Sequence, residues 1–151
     1  MLLLNIPPNK EGLFSEKDIN NIAAFRNILN ETFKNNFAKG KVLSSLTDNK
    51  LSTFISLKIN QPLIIDFKKL VKIDRALLQE NIATGQRIEK ALLEYWDGSQ
   101  WKSLESFTTV GHKRLLRFDL FTAQKLRLTI LESKGTVQLS EIGFFKASEK
   151  E

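Results

Sequence analysis

The stretch QENIATGQRIEKALLEYWDGSQW (Gln79–Trp101) decides how this chain is read. It opens with a polar cluster, Gln79 to Arg87, that sets a glycine among amide and basic side chains. It continues into strand-like sequence over Ile88–Trp96. It then turns through DGSQ (Asp97–Gln100), a hairpin signal, before Trp101 opens the next strand. A second cluster, TTVGHKR (Thr108–Arg114), follows that strand and repeats the pattern of glycine beside basic groups. Polar loops projecting from a rigid β framework are a common arrangement for sites.

The same two-residue period extends outward on both sides. Leu63, Ile65 and Phe67 alternate with Ile64 and Asp66, and Val71–Leu78 is rich in leucine and β-branched residues. Leu116, Phe118 and Leu120 are expected on one face. Leu126, Leu128 and Ile130 alternate with Arg127 and Thr129. Val137 and Leu139 fall out of phase with Ile142 and Phe144, and a slip near Ser140-Glu141 marks a bulge or a strand end. Seven or eight short strands at this spacing predict a mainly β fold, an antiparallel β-sandwich of the jelly-roll kind. In such a frame Trp101 is expected in the core. Tyr95 and Trp96, neighbours on one strand, must face opposite sides.

Residues 1–40 have a different texture. Leu2, Leu3, Leu4 and Ile6 read as a short strand stopped by Pro7-Pro8. Ser15, three residues before Asp18, is a capping-box-like helix start. Ile22, Phe25, Leu29 and Phe33 then line one helix face, with Gly40 as the stop. That face needs a partner, so self-association through it is expected. The boundary between the two segments falls at Gly40-Lys41, giving a strand-helix unit over 1–40 and the sandwich over 41–151.

The composition, 42% hydrophobic and 26% charged over 151 residues, is that of an ordinary globular domain. The absence of cysteine excludes disulfides, thiolate catalysis and zinc–cysteine sites. No apolar run approaches the ~20 residues that span a bilayer. The opening MLLLNI is too short for a signal-peptide core, so the expectation is either a cytoplasmic protein or a targeting signal carried upstream. The net charge of +6 invites a nucleic-acid reading. The basic residues are scattered among acids, however, with tight groups only at Lys68–Lys72 and Lys113-Arg114. A solvated surface, with neither nucleic acid nor membrane as partner, is therefore expected.

Catalytic signals are few. His112 is the only histidine, which rules out a histidine-rich metal site, and no nucleophile elbow, phosphate loop or dinucleotide fingerprint occurs. The candidate site residues are Glu80, Gln86 and Arg87 in the first polar cluster, beside Asn81, and His112, Lys113 and Arg114 in the second. Their planar donors suit sugar hydroxyls or carboxylates. The competing reading is structural: Glu80 forms an ion pair with Arg87 or Arg114 and pins the two loops together. Tyr95, Trp96 and Trp101 could supply a stacking surface. Asp48 and Glu141, near the first and last strands, are candidates to share a cation, although calcium wants six to eight oxygens. The alternative makes both of them capping or surface groups.

Two parts of the chain resemble α-L-fucosidases of glycoside hydrolase family 29. LLLNIPPNKEGLFSEKDINNIAAF (Leu2–Phe25) resembles the last strand and helix of that family's catalytic barrel. LQENIATGQR, TTVGHKRLLRF and the closing LSEIGFFKA resemble the discoidin-like (coagulation factor 5/8 type C) β-sandwich that follows the barrel in many members. The resemblance implies a barrel remnant over 1–40 joined to a discoidin-like module over 41–151. It implies a non-catalytic accessory chain, since the nucleophile and acid/base carboxylates would lie upstream of Met1. Its partners would be the parent barrel or a fucosylated glycan, in a periplasmic or extracellular setting, and it would need no cofactor beyond the calcium that some relatives carry. The loop DNKLSTFIS (Asp48–Ser56) keeps Asp48 and Thr53 of the relatives' calcium loop. Phe54 and Ile55 replace its aromatic pair, and Lys50 and Ser52 stand where acids are frequent.

Overall fold

The computed structural model describes residues 4–40 and 44–148. One α-helix and six strands follow in chain order: α1 (Glu16–Phe33), β1 (Ile55–Leu57), β2 (Leu63–Glu80), β3 (Ile88–Trp96), β4 (Trp101–Phe107), β5 (Arg114–Ser133) and β6 (Val137–Phe145). All six strands join in one antiparallel sheet in the order β1-β6-β2-β5-β3-β4.

Two long strands turn that sheet into a sandwich. The first part of β2 (63–66) pairs with β5 (125–128), and β5 in turn pairs with β3 and β3 with β4. The last part of β2 (75–80) pairs with the start of β5 (114–117) and with β6, which carries β1. Between these halves the ladder breaks twice. Three extra residues, Lys68–Leu70, bulge from β2, with Lys68 at φ 64°. Three further on, β5 uses Arg117–Phe121 to span only Ile73–Arg75. Bulges of this kind bend strands from one layer into the next. The sequence pattern suggests seven or eight strands because each bulge reads as a turn; among the described residues there are six, two of them running through both layers.

Side chains from both halves meet in one core. Ile65, Leu93, Leu128 and Ile130 from one half cluster with Leu78, Leu139, Ile142 and Phe144 from the other. Phe67 meets Phe144 edge-to-face at 5.9 Å. Burying a side chain of this size contributes ~1.5–3 kcal/mol, and among the described residues no buried side-chain polar atom is left without a partner. The predicted slip in β6 is a bulge at Ser140: Gln79 pairs with Glu141 but Glu80 with Leu139. The Ser140 hydroxyl donates to the Gln79 carbonyl at 3.2 Å.

Two expectations fail, the shared face of Leu116 and Leu120 and the core place of Trp101. Leu120 is 53% exposed, because the β5 bulge shifts the alternation between Leu116 and Phe121. Trp101 is half-buried, not core. It closes the β3–β4 hairpin opposite Trp96, ring against ring at 5.4 Å, with the Arg127 guanidinium 4.6 Å from its centre. Tyr95 faces the other way, against the core and Phe121.

Ser15 caps α1, its hydroxyl oxygen accepting the Asp18 N–H. The helix ends at Phe33, well before Gly40. There Asn36 leaves the helical path to latch onto β6: its side chain donates to the Ile142 carbonyl (3.1 Å) and accepts from the Phe144 N–H (3.1 Å). Asparagine competes in this way with helix continuation. Phe33 stands edge-on to Phe145 at 5.1 Å. Leu4 to Ile6 carry no strand, having no neighbouring strand to pair with, and Leu2 and Leu3 of the expected strand lie outside the described residues. So does Lys41 of the expected boundary.

Candidate functional site

The two polar loops converge on one carboxylate. Glu80 ends β2 with 1% of its surface exposed. Its Oε1 accepts the backbone N–H groups of Arg87 (2.8 Å) and Ile88 (3.0 Å), and its Oε2 accepts that of Gly111 (2.7 Å). The Glu80 N–H closes the ring by donating to the Gly111 carbonyl at 2.9 Å. Glu80 thus pins the loops together as the structural reading supposes, but through backbone donors rather than through a guanidinium. Three such bonds satisfy a buried carboxylate more rigidly than a flexible arginine would.

Neighbouring polar groups extend the knot. Gln79 Nε2 donates to the His112 carbonyl (2.9 Å), and Asn81 Nδ2 to Gln138 Oε1 (2.9 Å). Arg87 donates to the Lys134 carbonyl (3.2 Å) and to that of Thr84, while its own carbonyl accepts the Lys134 N–H. Gly111 has φ 61°, a left-handed conformation that favours glycine where the loops touch. Gln79, Gln138 and Ser140 are not among the candidate site residues of the sequence. Their bonds go to backbone groups and amides across the sheet, and such pairs leave no local pattern.

The remaining candidates lie at the rim. Gln86, His112 and Lys113 are exposed, whereas Arg114 is half-buried with its guanidinium 5.9 Å from the Phe107 ring. The knot therefore spends Glu80 and much of Arg87 on structure and leaves one amide, one imidazole and one ammonium facing solvent.

Asp48 and Glu141, 93 positions apart in sequence, do come together. The Lys50 N–H donates to Asp48 Oδ1 (2.9 Å) and to Glu141 Oε1 (3.1 Å), and the Thr53 hydroxyl donates to Asp48. Burial pushes the Glu141 carboxyl above the usual range, and the adjacent Asp48 charge adds to this against the N–H groups of Asn49 and Lys50. For Asp48 desolvation also pulls upward, but the Thr53 and Lys50 bonds outweigh it and its carboxyl sits below the usual range. As a calcium cage the donor set fits poorly: two carboxylates, with an N–H directed at both. No group of three His, Cys, Asp or Glu gathers anywhere among the described residues. The geometry is that of a capped loop.

On the outer face of the sheet, Glu94 is bidentate to Arg127, with 2.8 Å between Nη2 and Oε1, and this bond holds the Arg127 pKa up. Arg127 in turn covers Trp101. The two tryptophans are thereby tied into a hairpin brace.

No family model matches the chain. α-L-Fucosidase 1 of Arabidopsis thaliana is 31% identical over an alignment of 166 positions that takes in 96% of this chain and 33% of that protein. Among solved structures, SpGH29 superposes with a TM-score of 0.88 at 32% identity, over 97% of this chain and 35% of its own. A Ruminococcus gnavus GH29 fucosidase in complex with fucose gives 0.83 at 29%, over 97% and 34%. Through nearly its whole length this chain is homologous to the C-terminal part of α-L-fucosidases of glycoside hydrolase family 29, and it spans about a third of the curated relatives it matches.

Proposed function

We propose that this chain is a non-catalytic, discoidin-like accessory module of an α-L-fucosidase-like glycoside hydrolase, and that it braces a catalytic (β/α) barrel. One observation carries the reading. The helix α1 stands on the sandwich only by its last turns and leaves Ile19, Ile22, Phe25 and Ile28 exposed. With Leu4 and Ile6, Ile22 and Phe25 line an open cleft of about 300 Å³. An apolar surface of this extent marks an interaction site. A barrel of this class needs about 250 residues, more than the 151 present, so the chemistry of the relatives would belong to the partner and not to Glu80 or His112.

Two measurements test this. The purified chain is expected to hydrolyse no aryl α-L-fucoside; turnover abolished by a point change within 41–151 would overturn the non-catalytic reading. In sedimentation equilibrium the isolated chain is expected to self-associate through the uncovered face, and the double variant Ile22→Ser/Phe25→Ser to be monomeric. A wild-type chain that stays monomeric at every concentration would show that the face needs no cover.

The second reading is a lectin-like module for fucose- or galactose-type glycans using the rim of the loops. The observation in its favour is that Gln86, His112 and Lys113 remain exposed beside Arg87 and Arg114. Shifts of the loop amides on titration with methyl α-L-fucoside would support it, and unmoved amides would rule it out.

A further inference from the structure

Resting on the bracing role, we infer that the groove at the foot of α1 receives an acidic segment of the partner protein, one that carries an apolar side chain beside carboxylates. The groove, about 460 Å³, lies between the helix and the sandwich. Leu29 and Phe33 of α1 form one wall, and Leu77, Leu115 and Phe145 form the other. Leu77 and Leu115 are register partners on β2 and β5, so their side chains are neighbours. Leu115 is 52% exposed, which leaves that wall open to an incoming side chain. The helix is fastened at its end, by Phe33 against Phe145 and by Asn36 on β6, and the turn before it leaves the gap.

Every charge in the lining is positive. Arg26 borders the groove from the helix and Lys113 from the second polar loop. Both are exposed, and neither enters an ion pair or a side-chain hydrogen bond among the described residues. Asn49 completes the rim. Its chain neighbour Asp48 offers no counter-charge there, being committed to the Lys50 N–H and the Thr53 hydroxyl. The groove thus sets apolar walls beside two uncompensated cations.

That combination selects the occupant. A purely apolar surface laid over the groove would take Arg26 and Lys113 out of water with no partner, which is costly for any charge. A segment bearing carboxylates converts the same two groups into charge-assisted hydrogen bonds. A basic segment is repelled, and a nucleic-acid backbone calls for a longer row of cations than two. Continuity favours a protein segment over a small free acid. Ile22, Arg26, Leu29 and Phe33 follow at spacings of four, three and four, which places them in one row along the helix. A partner that covers Ile22 and Phe25 therefore runs on into the groove. On this assignment Lys113 serves a protein contact and not a glycan.

The test is an amide NMR titration of the intact chain with three blocked peptides: acetyl-Glu-Leu-Phe-Glu-amide, its Gln-Leu-Phe-Gln analogue and its Lys-Leu-Phe-Lys analogue. The acidic peptide is expected to give saturable shifts at 26–30, 77 and 113–115. It should bind about tenfold more tightly than the neutral peptide, with the basic one silent. Arg26→Gln and Lys113→Gln are each expected to weaken the acidic peptide about threefold, as for an exposed ion pair, and to leave the neutral one unaffected. Leu115→Ser should weaken both. Equal binding of the acidic and neutral peptides, tighter binding of the basic one, shifts confined to other residues, or no shift at all would each overturn the inference. The self-association measurement reads Ile22 and Phe25 instead, so the two ideas fail separately. A silent titration of a chain that self-associates removes the groove alone. Saturable shifts in a chain that stays monomeric remove the bracing role and leave the groove as a site for acidic peptide.

Discussion

The helix α1 and the sandwich follow opposite rules within one chain. The sandwich gathers its apolar side chains from two layers into one core and satisfies its buried polar atoms internally. The helix has the periodicity of a core element, yet its only buried residue is Thr32. It is held by a short latch of Asn36, Phe33 and the Ser148 N–H on Thr32. The contrast separates a module with a closed core from a helix whose apolar face is left exposed.

The largest test of that contrast compares matched truncations. Phe144→Ala, in the core, is expected to cost about 3–5 kcal/mol in urea denaturation. Phe25→Ala, on the exposed face of α1, is expected to stay within about 0.5 kcal/mol. Comparable losses at both sites would break the comparison. Glu80→Ala should resemble the core variant, at roughly 3 kcal/mol, because it strands the N–H groups of Arg87, Ile88 and Gly111.

A change at the joint sharpens it. A Cβ at Gly143 would lie 2.6 Å from the Phe145 ring and 3.2 Å from Asn36 Nδ2, the two groups that hold α1. Gly143→Ala should cost about 1–2 kcal/mol and loosen α1 while the sandwich stays folded, seen as faster amide exchange confined to Glu16–Phe33. Ser15→Ala, which removes the N-cap, should cost about 1 kcal/mol of helix stability and leave the sandwich's urea midpoint unchanged.

The smallest effect is a pH dependence in the loop capped by Asp48. Glu141 has a raised carboxyl pKa, so the folded state binds more protons than the unfolded one. Its contribution is therefore lost as pH climbs from the ordinary value of 4.5 through the raised one. Asp48 runs the other way: its lowered pKa supports the fold above 3.8, and that support is lost as pH falls. Glu141→Gln should abolish the decline with rising pH and keep the acid-side loss, measured as urea midpoints across that range. An unchanged profile would mean that Glu141 titrates normally.

How far this was legible in the sequence depends on whether a feature is local. The DGSQ hairpin was, because Asp97 bonds its own turn at Ser99 and Gln100. The Ser140 bulge was, because it breaks the period of a single strand. The approach of Asp48 to Glu141 was, because they stand near the first and last strands, which pair as β1 and β6. The two long strands were not, since bulges at Lys68–Leu70 and Phe118–Leu120 imitate turns. Glu80 was marked, but its partners are backbone N–H groups, which every residue carries. The groove at the foot of α1 joins a helix, strands and loops and so leaves no trace in any one of them.

Hydrogen exchange of the intact chain at low concentration, followed as concentration rises, tests the central claim most directly. The expected result is slow exchange through global unfolding in β2, β3, β5 and β6, fast local exchange in α1, and protection of α1 that grows with concentration. Protection of α1 equal to that of the core strands, and independent of concentration, would show that the helix belongs to the module and awaits no partner.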